Sequence, residues 1–375
     1  GFYNYSSYDF KTLLEDPNNL ESNLKHYLDC FSDNVKDIFI RFSMDKYIAK
    51  LSEKNILYKL MKKFSETKLD LSPKAISNHE MGTMFEELIR RFSEQSNEEA
   101  GEHFTPRDIV KLMTELLFAG EKNEPGSIKL VYDPACGTGG MLTSCKEYIA
   151  NIDPNIDVVL YGQESEDAIY AMCKSDMLMK GEKAENIKGP YSTLSNDKLP
   201  TQTFDYMISN PPYGRDWETD EDEVKAEAEL GFNGRFGAGL PRKSDGQFLF
   251  IQHMISKMKP NDKSKIAVIT NGSPLFTGDA GSGESEIRKW ILENDYLETL
   301  ISLPTDLFFN TNIATYIWIL TNKKSEHRKG KVQLINAKEK YIKMRRPLGK
   351  KRYILSDEII NSIVDEYISF NNGKN

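Results

Sequence analysis

A chain of 375 residues, 39% hydrophobic and 28% charged, is long enough to build a large core and more than one domain. Its formal net charge of −8 excludes a protein that grips nucleic acid by overall basicity, so a DNA substrate would need another chain for much of the hold. No apolar run approaches the roughly 20 residues that span a bilayer. The opening Gly1-Phe2-Tyr3-Asn4-Tyr5-Ser6-Ser7 has neither the basic nor the apolar segment of a secretory leader, and a cytoplasmic protein with no membrane partner is expected. Cys30, Cys136, Cys145 and Cys173 fall in no metal-ligand spacing and are too sparse for a disulfide framework, which points to reduced thiols and no metal. The first residue is Gly1 rather than methionine, so a cut fragment is expected.

Residues 1–100 read as a helical N-terminal region. Three groups recur at intervals of three and four: Leu20, Leu24, Tyr27, Leu28 and Phe31; Ile48, Leu51, Ile56, Leu57, Leu60, Met61 and Phe64; Met81, Met84, Phe85, Leu88, Ile89 and Phe92. That is the spacing of amphipathic helices with one buried stripe each, and these are packing stripes rather than a cofactor box. A polar link over 93–101 leads into Glu102-His103-Phe104-Thr105-Pro106-Arg107. Thr105 can cap, and Pro106 can open, a helix over 109–118 with Ile109, Leu112, Met113, Leu116 and Leu117 on its apolar side. The free amides and the Thr105 hydroxyl at that helix start can also hold a carboxylate. His103 taken alone reads more readily as a structural histidine.

Ile128-Lys129-Leu130-Val131-Tyr132 reads as a strand that runs into Asp133-Pro134-Ala135-Cys136-Gly137-Thr138-Gly139-Gly140 and a helix over 141–150. Strand, glycine turn and helix form the first unit of a doubly wound sheet, and the glycines let a ligand approach the backbone. The spacing departs from the dinucleotide G-x-G-x-x-G pattern, which favours a nucleoside site over a pyrophosphate cradle. A second strand over 158–163 ends at Glu164, where an acid in such folds grips ribose hydroxyls; a plain surface acid is the alternative.

Phe204, Tyr206, Met207 and Ile208 form a short apolar run that reads as a buried strand, and Asn210-Pro211-Pro212 stops it. The prolines push Asn210 towards an extended conformation and hold its side chain and the Pro211 carbonyl on a stiff turn at the strand's carboxyl end. Those two oxygens can accept hydrogen bonds from an exocyclic NH2 such as that of adenine, freeing its lone pair, while Tyr213 offers a ring face to the base. A surface turn with the same letters is the alternative. Residues 214–245 then read as a long polar insertion, acidic from Glu218 to Glu229, of the kind that often forms a lid. A helix over 248–258, a strand over 266–270, a helix over 285–292, a strand over 297–302, the segment Leu307-Phe308-Phe309 and a strand over 313–320 complete a seven-stranded sheet. One more strand over 332–335 precedes a basic stretch from Lys343 to Arg352.

Together these motifs resemble the amino-group DNA methyltransferases that use S-adenosylmethionine, and specifically the modification subunit of type I restriction-modification systems. The resemblance rests on Gly101-Glu102-His103-Phe104-Thr105-Pro106, residues 133–140, Gly162-Gln163-Glu164, Asn210-Pro211-Pro212-Tyr213, Ser244-Asp245-Gly246-Gln247 and Leu307-Phe308-Phe309. Their order is that of the adenine-N6 class, and the resemblance spans nearly the whole chain. It implies an α/β fold with a Rossmann-like seven-stranded S-adenosylmethionine-dependent methyltransferase sheet over 101–336, the helical region before it and a truncated tail over 337–375. It implies that His103, Phe104, Thr105 and Pro106 lie near the methionine part of the cofactor. Asp133, Pro134, Ala135, Gly137, Thr138 and Gly139 would surround its methionyl and ribose parts, and Glu164 would bind ribose. Asn210, Pro211, Pro212 and Tyr213 would be catalytic, with Asn210 also facing the cofactor, and Tyr213 and Phe309 would flank the target base. Phe309 is equally suited to a core role. The family's Gly-Asp-Thr-Leu segment reads Pro190-Tyr191-Ser192-Thr193-Leu194 here, which leaves Ser192 or Asp197 to replace its aspartate at the adenine ring.

The implied reaction is methyl transfer to N6 of a flipped-out DNA adenine. The implied partners are DNA, a specificity subunit, a restriction subunit and a second copy of the chain. Two other functions are compatible with the turn at Asn210: methylation of a protein glutamine or of RNA, whose amino groups pose the same problem of a delocalised lone pair, and a non-catalytic cofactor-binding assembly subunit.

Overall fold

The computed structural model describes residues 2–66, 105–120, 126–152 and 154–371, with isolated positions between 70 and 88. Helices α1 (Phe10–Glu15), α2 (Leu20–Asp29), α3 (Asp33–Arg41), α4 (Met44–Glu53) and α5 (Leu57–Phe64) close around Leu13, Leu20, Leu24, Ile48, Leu57 and Met61. The stripe expected from Ile48 to Phe64 is two helices rather than one, because Asn55 takes a left-handed φ of 54° that a right-handed helix cannot continue through. Of the third expected stripe, Ile89 and Phe92 lie outside the described residues, as do the polar link, His103 and Phe104. No helix among the described residues is long and apolar enough to cross a membrane.

Beyond α6 (Arg107–Phe118) the chain alternates strand and helix: β1 (Ile128–Asp133), α7 (Gly140–Ile152), β2 (Asp157–Gln163), α8 (Asp167–Met179), β3 (Ile187–Lys188) and β4 (Tyr206–Ser209). After α9 (Glu221–Glu229) and α10 (Gln247–Ser256) come β5 (Lys265–Asn271), α11 (Ser273–Phe276), α12 (Gly283–Glu293), β6 (Leu297–Ser302), β7 (Thr315–Thr321) and β8 (Gln333–Asn336). The strands form one sheet in the order β3-β2-β1-β4-β5-β7-β6-β8. Only β7 runs antiparallel, against both β5 and β6. The central strands β4, β5 and β7 are buried almost end to end because both faces of the sheet are covered. In β5, Ala267 and Ile269 enter the core on one face, while Ile266 and Val268 enter the core on the other. The helical region docks on α8 through the ion pair of Lys174 with Asp37 at 2.9 Å.

Three expectations need correction. The sheet has eight strands, not seven, because β8 pairs in parallel with β6 and covers what would otherwise be an open edge. The residues after 337 fold onto the domain: β9 (Ile342–Leu348) and β10 (Lys351–Ile354) make an antiparallel hairpin, and α13 (Asp357–Ser369) buries Ile360, Ile363 and Tyr367 in the main core. The insertion over 214–245 is a packed unit rather than a loop. Its polar composition hides three anchors, Trp217, Val224 and Phe236, which join Leu194 and Leu249 in a cluster of their own.

Phe236 is fully buried there, so Phe236→Ala is expected to destabilise the insertion by about 3–5 kcal/mol. Hydrogen exchange of the amides over 214–245 reads this directly. Exchange as fast in the wild type as in the variant would return the segment to a loose loop.

Candidate active site

Chain connectivity reverses direction between β1 and β4, and ligands in such sheets bind outside the carboxyl ends of the strands at that point. A cavity of about 660 Å³ lies there. At the end of β1, Asp133 Oδ1 accepts hydrogen bonds from the Ala135 amide (3.0 Å) and from the Ser209 hydroxyl at the end of β4 (2.7 Å). Burial pushes this carboxyl up to about 7, opposed by those two hydrogen bonds and reinforced by the nearby Glu164 charge. At the end of β2, Glu164 is only 6% exposed. Its Oε2 accepts from the Gly137 amide (2.9 Å), and its Oε1 from the amides of Ser165 (2.8 Å) and Glu166 (2.9 Å). Three backbone donors therefore organise the charged carboxylate at the cavity wall.

The glycine turn is built for close approach. Gly137 and Gly139 take φ values of 55° and 83°, and a Cβ on Gly139 would fall 2.7 Å from Met177 Cε and 2.8 Å from Cys173 Sγ. Opposite, the Asn210 side chain is held from both ends. Its Nδ2 donates to Thr105 Oγ1 at 2.9 Å, and the Tyr213 hydroxyl donates to its Oδ1. Thr105 thus makes no side-chain cap. The N-cap of α6 is Pro106, because the threonine hydroxyl is engaged by the turn after β4.

Of the expected site residues, Thr105, Pro106, Asp133, Pro134, Ala135, Gly137, Thr138, Glu164, Asn210, Pro212 and Phe309 line this one cavity. Gly139 sits behind the wall under Met177 and Cys173. The Tyr213 ring packs edge-on against Phe308 at 6.3 Å. Ser192 reaches the cavity, whereas Asp197 is drawn away into a buried ion pair with Lys257 at 2.5 Å.

Two parts of the wall were not legible locally. From the insertion, Arg235 donates to the carbonyls of Thr193 (2.7 Å) and Leu194 (2.7 Å) and pairs with Glu227. Thr193 in turn donates to the Pro134 carbonyl at 2.5 Å. The insertion therefore props the loop that carries Ser192. Arg235 also meets His253 Nδ1 (3.1 Å), whose Nε2 meets the Tyr132 hydroxyl (3.0 Å). Burial first, and then the Arg235 and Lys257 charges, hold this imidazole well below its usual range. Arg235 can only donate, so the neutral ring carries its proton on Nε2 and donates that N–H to the Tyr132 hydroxyl oxygen. From the C-terminal hairpin come Met344, Leu348, Lys351 and Ile354. Lys351 Nζ donates to both Asp108 oxygens at 3.0 Å and to the Leu307 carbonyl at 3.0 Å.

Residues 76–375 match the family model described as N-6 DNA methylase. The chain belongs to this family. It is 30% identical over 346 residues to the MjaIX type I restriction enzyme methylase subunit of Methanocaldococcus jannaschii, covering 92% of this chain and 57% of that one. Among solved structures, the type I restriction-modification methyltransferase subunit from Streptococcus thermophilus superposes with a TM-score of 0.77 at 26% identity, covering 97% of this chain and 74% of the other. A Listeria monocytogenes protein described as a candidate class I S-adenosylmethionine-dependent methyltransferase shares the fold, with a TM-score of 0.61 at 20% identity over 96% of this chain and 98% of its own. The chain spans little more than half the length of the curated relatives it matches, 57% of the first and 55% of the second.

The raised Asp133 carboxyl has a measurable consequence. Between the ordinary carboxylate range near 4 and about 7, the folded chain holds a proton there that the unfolded chain has lost. Stability contributed by this group is therefore present at low pH and falls as pH rises through that window. Asp133→Asn keeps an oxygen for Ala135 and Ser209 and is expected to flatten this part of the stability-versus-pH curve, measured by denaturant unfolding. Identical curves for the two proteins would remove the raised carboxyl.

Proposed function

We propose that this chain transfers a methyl group from S-adenosylmethionine to the N6 amino group of an adenine in DNA, as the modification subunit of a type I restriction-modification assembly with a specificity subunit, a restriction subunit and a second copy of itself. The observation that carries this reading is the convergence, on one cavity, of two strand-end acids, a glycine turn and the Asn210 turn. The donor set suits the cofactor. Glu164, already organised by three amides, keeps acceptor capacity on Oε2 for a ribose hydroxyl. The glycine turn leaves room for backbone approach beside Asp133, and Thr105 and Pro106 would face the methionyl end. When bound, the cofactor supplies an electrophilic sulfonium methyl.

The chain's own contribution is positioning and lone-pair release. Asn210 Oδ1 and the Pro211 carbonyl would accept the two protons of the adenine amino group, which localises the nitrogen lone pair towards the donor. Thr105, by accepting from Nδ2, keeps the amide oriented with its oxygen available. The Tyr213 hydroxyl occupies that oxygen in the structure described, so it must share or release it as the base enters, and its ring, with Phe309, would then flank a base turned out of the duplex. No general base is required, because the nitrogen becomes acidic only once methylated. The relatives' description as type I methylase subunits supports the assembly.

Two substitutions separate binding from transfer. Asn210→Ala is expected to leave S-adenosylmethionine affinity nearly unchanged while slowing single-turnover methylation by about a hundredfold or more. Glu164→Ala is expected to weaken cofactor binding by about 1.5–3 kcal/mol, read by calorimetry. An Asn210→Ala enzyme with the wild-type transfer rate would remove the turn from the reaction.

A further inference from the structure

The hairpin formed by β9 and β10 carries both cavity-lining residues and exposed cations. Met344, Leu348, Lys351 and Ile354 face the cavity. Lys343, Arg345, Arg346, Lys350 and Arg352 are exposed. Among the described ion pairs none of these five has a carboxylate partner; the hairpin's single ion pair is the buried one of Lys351 with Asp108. The sequence from Lys340 to Ser356 contains no acid, in a chain whose net charge is −8. The hairpin thus concentrates five cations that have no carboxylate partner among the described ion pairs.

The hairpin is also rigidly placed. Lys351 fastens it to the start of α6 through Asp108, and the Leu355 amide donates to the same carboxylate at 2.9 Å. The Lys350 amide donates to the Phe309 carbonyl at 2.8 Å and the Arg352 amide to the Asp306 carbonyl at 2.8 Å, so the hairpin backs the segment that carries Phe309. Tyr341, just before β9, stacks on Tyr353 of β10 with ring centroids 4.1 Å apart. A lattice of this kind holds the outer cations at a fixed distance from the cavity mouth and lowers the ordering cost of any contact they make.

From this juxtaposition we infer that the exposed cations of the hairpin grip the phosphates of the DNA strand that flanks the base in the cavity. The inference rests on the proposed DNA substrate and adds where this chain holds it. Long cationic side chains spread along an extended strand suit a line of phosphates, and guanidinium groups can take phosphate oxygens in pairs. Contacts of this kind fix register rather than read sequence, which accords with a chain that leaves sequence reading to a partner. Because the cations are local, the acidic balance of the whole chain is no obstacle to a contact beside the cavity.

The test is a salt titration of binding to a short fluorescent DNA duplex. It compares the wild type, a variant with Lys343, Arg345, Arg346, Lys350 and Arg352 all changed to Gln, and a charge-preserving variant in which Lys and Arg are exchanged at the same five positions. S-adenosylmethionine affinity, measured on each, reports that the cavity is intact. The Gln variant is expected to keep cofactor affinity, to bind DNA at least tenfold more weakly, and to lose roughly 0.9 from the slope of log affinity against log salt for each phosphate contact removed. The charge-preserving variant is expected to retain most of the wild-type affinity and slope. A Gln variant with the wild-type slope and affinity overturns the hairpin's role while leaving DNA as the substrate. The same unchanged DNA slope with lost capture of an acidic protein subunit also overturns it, in favour of a protein contact. A wild type that leaves the duplex unmethylated, with its partner subunits present, overturns the DNA reading and this inference with it.

Discussion

The hydrogen bond from Ser209 to Asp133, 2.7 Å long and wholly buried, joins the carboxyl ends of two parallel neighbours at the point where the sheet's connectivity reverses. Ser209 directly precedes Asn210, and Asp133 directly precedes the glycine turn. A single contact therefore fixes the distance between the part of the cavity suited to a nucleoside cofactor and the turn suited to an amino group. Registers of β1 with β2 and with β4 set the same relation through the backbone, so the side-chain bond adds precision to a placement that the ladder already enforces. The carboxyl that this bond ties down is buried deeply enough to be pushed up to about 7, against the pull of the bond itself.

Around that constraint the rest of the molecule acts as support at increasing distance. Thr105, from the segment before the sheet, and Tyr213, from the turn itself, hold the Asn210 amide at both ends. Arg235, from the insertion, holds the loop of Ser192 and Thr193 through its carbonyls. Asp108 and Lys351 bring the C-terminal hairpin against the cavity from the other side. Each support comes from an addition to the central sheet, and each is a charged or polar group satisfied inside the protein, as buried polar groups must be.

Much of this was legible in the sequence where the signal is local. Apolar runs such as 128–132 and 204–208 marked strands because both faces of a parallel sheet are covered. An acid directly after such a run, as at Asp133 and Glu164, has to sit at a strand's carboxyl end, and Asn210-Pro211-Pro212 can only be a stiff turn. What the sequence hid is pairing at long range. Thr105 looks like a helix cap because its neighbours are a proline and a helix, yet its partner is 105 positions away. Lys351 reads as one more solvated cation in a basic stretch, and only the fold reveals Asp108, 243 positions earlier, beneath it. The insertion looked loose because Trp217, Val224 and Phe236 are scattered among acids without helical or strand period, and the edge strand β8 was seen as an element but not as an eighth member of the sheet.

We propose that this cavity joins a sulfonium methyl to the amino group of adenine. The most direct measurement is nucleoside mass spectrometry of duplex DNA after incubation with S-adenosylmethionine and this chain assembled with a specificity subunit. N6-methyldeoxyadenosine is the expected product, formed at the wild-type rate only while Asn210 is intact. Methyl groups recovered on a protein glutamine or on RNA, with unmodified adenine in the DNA, would contradict it.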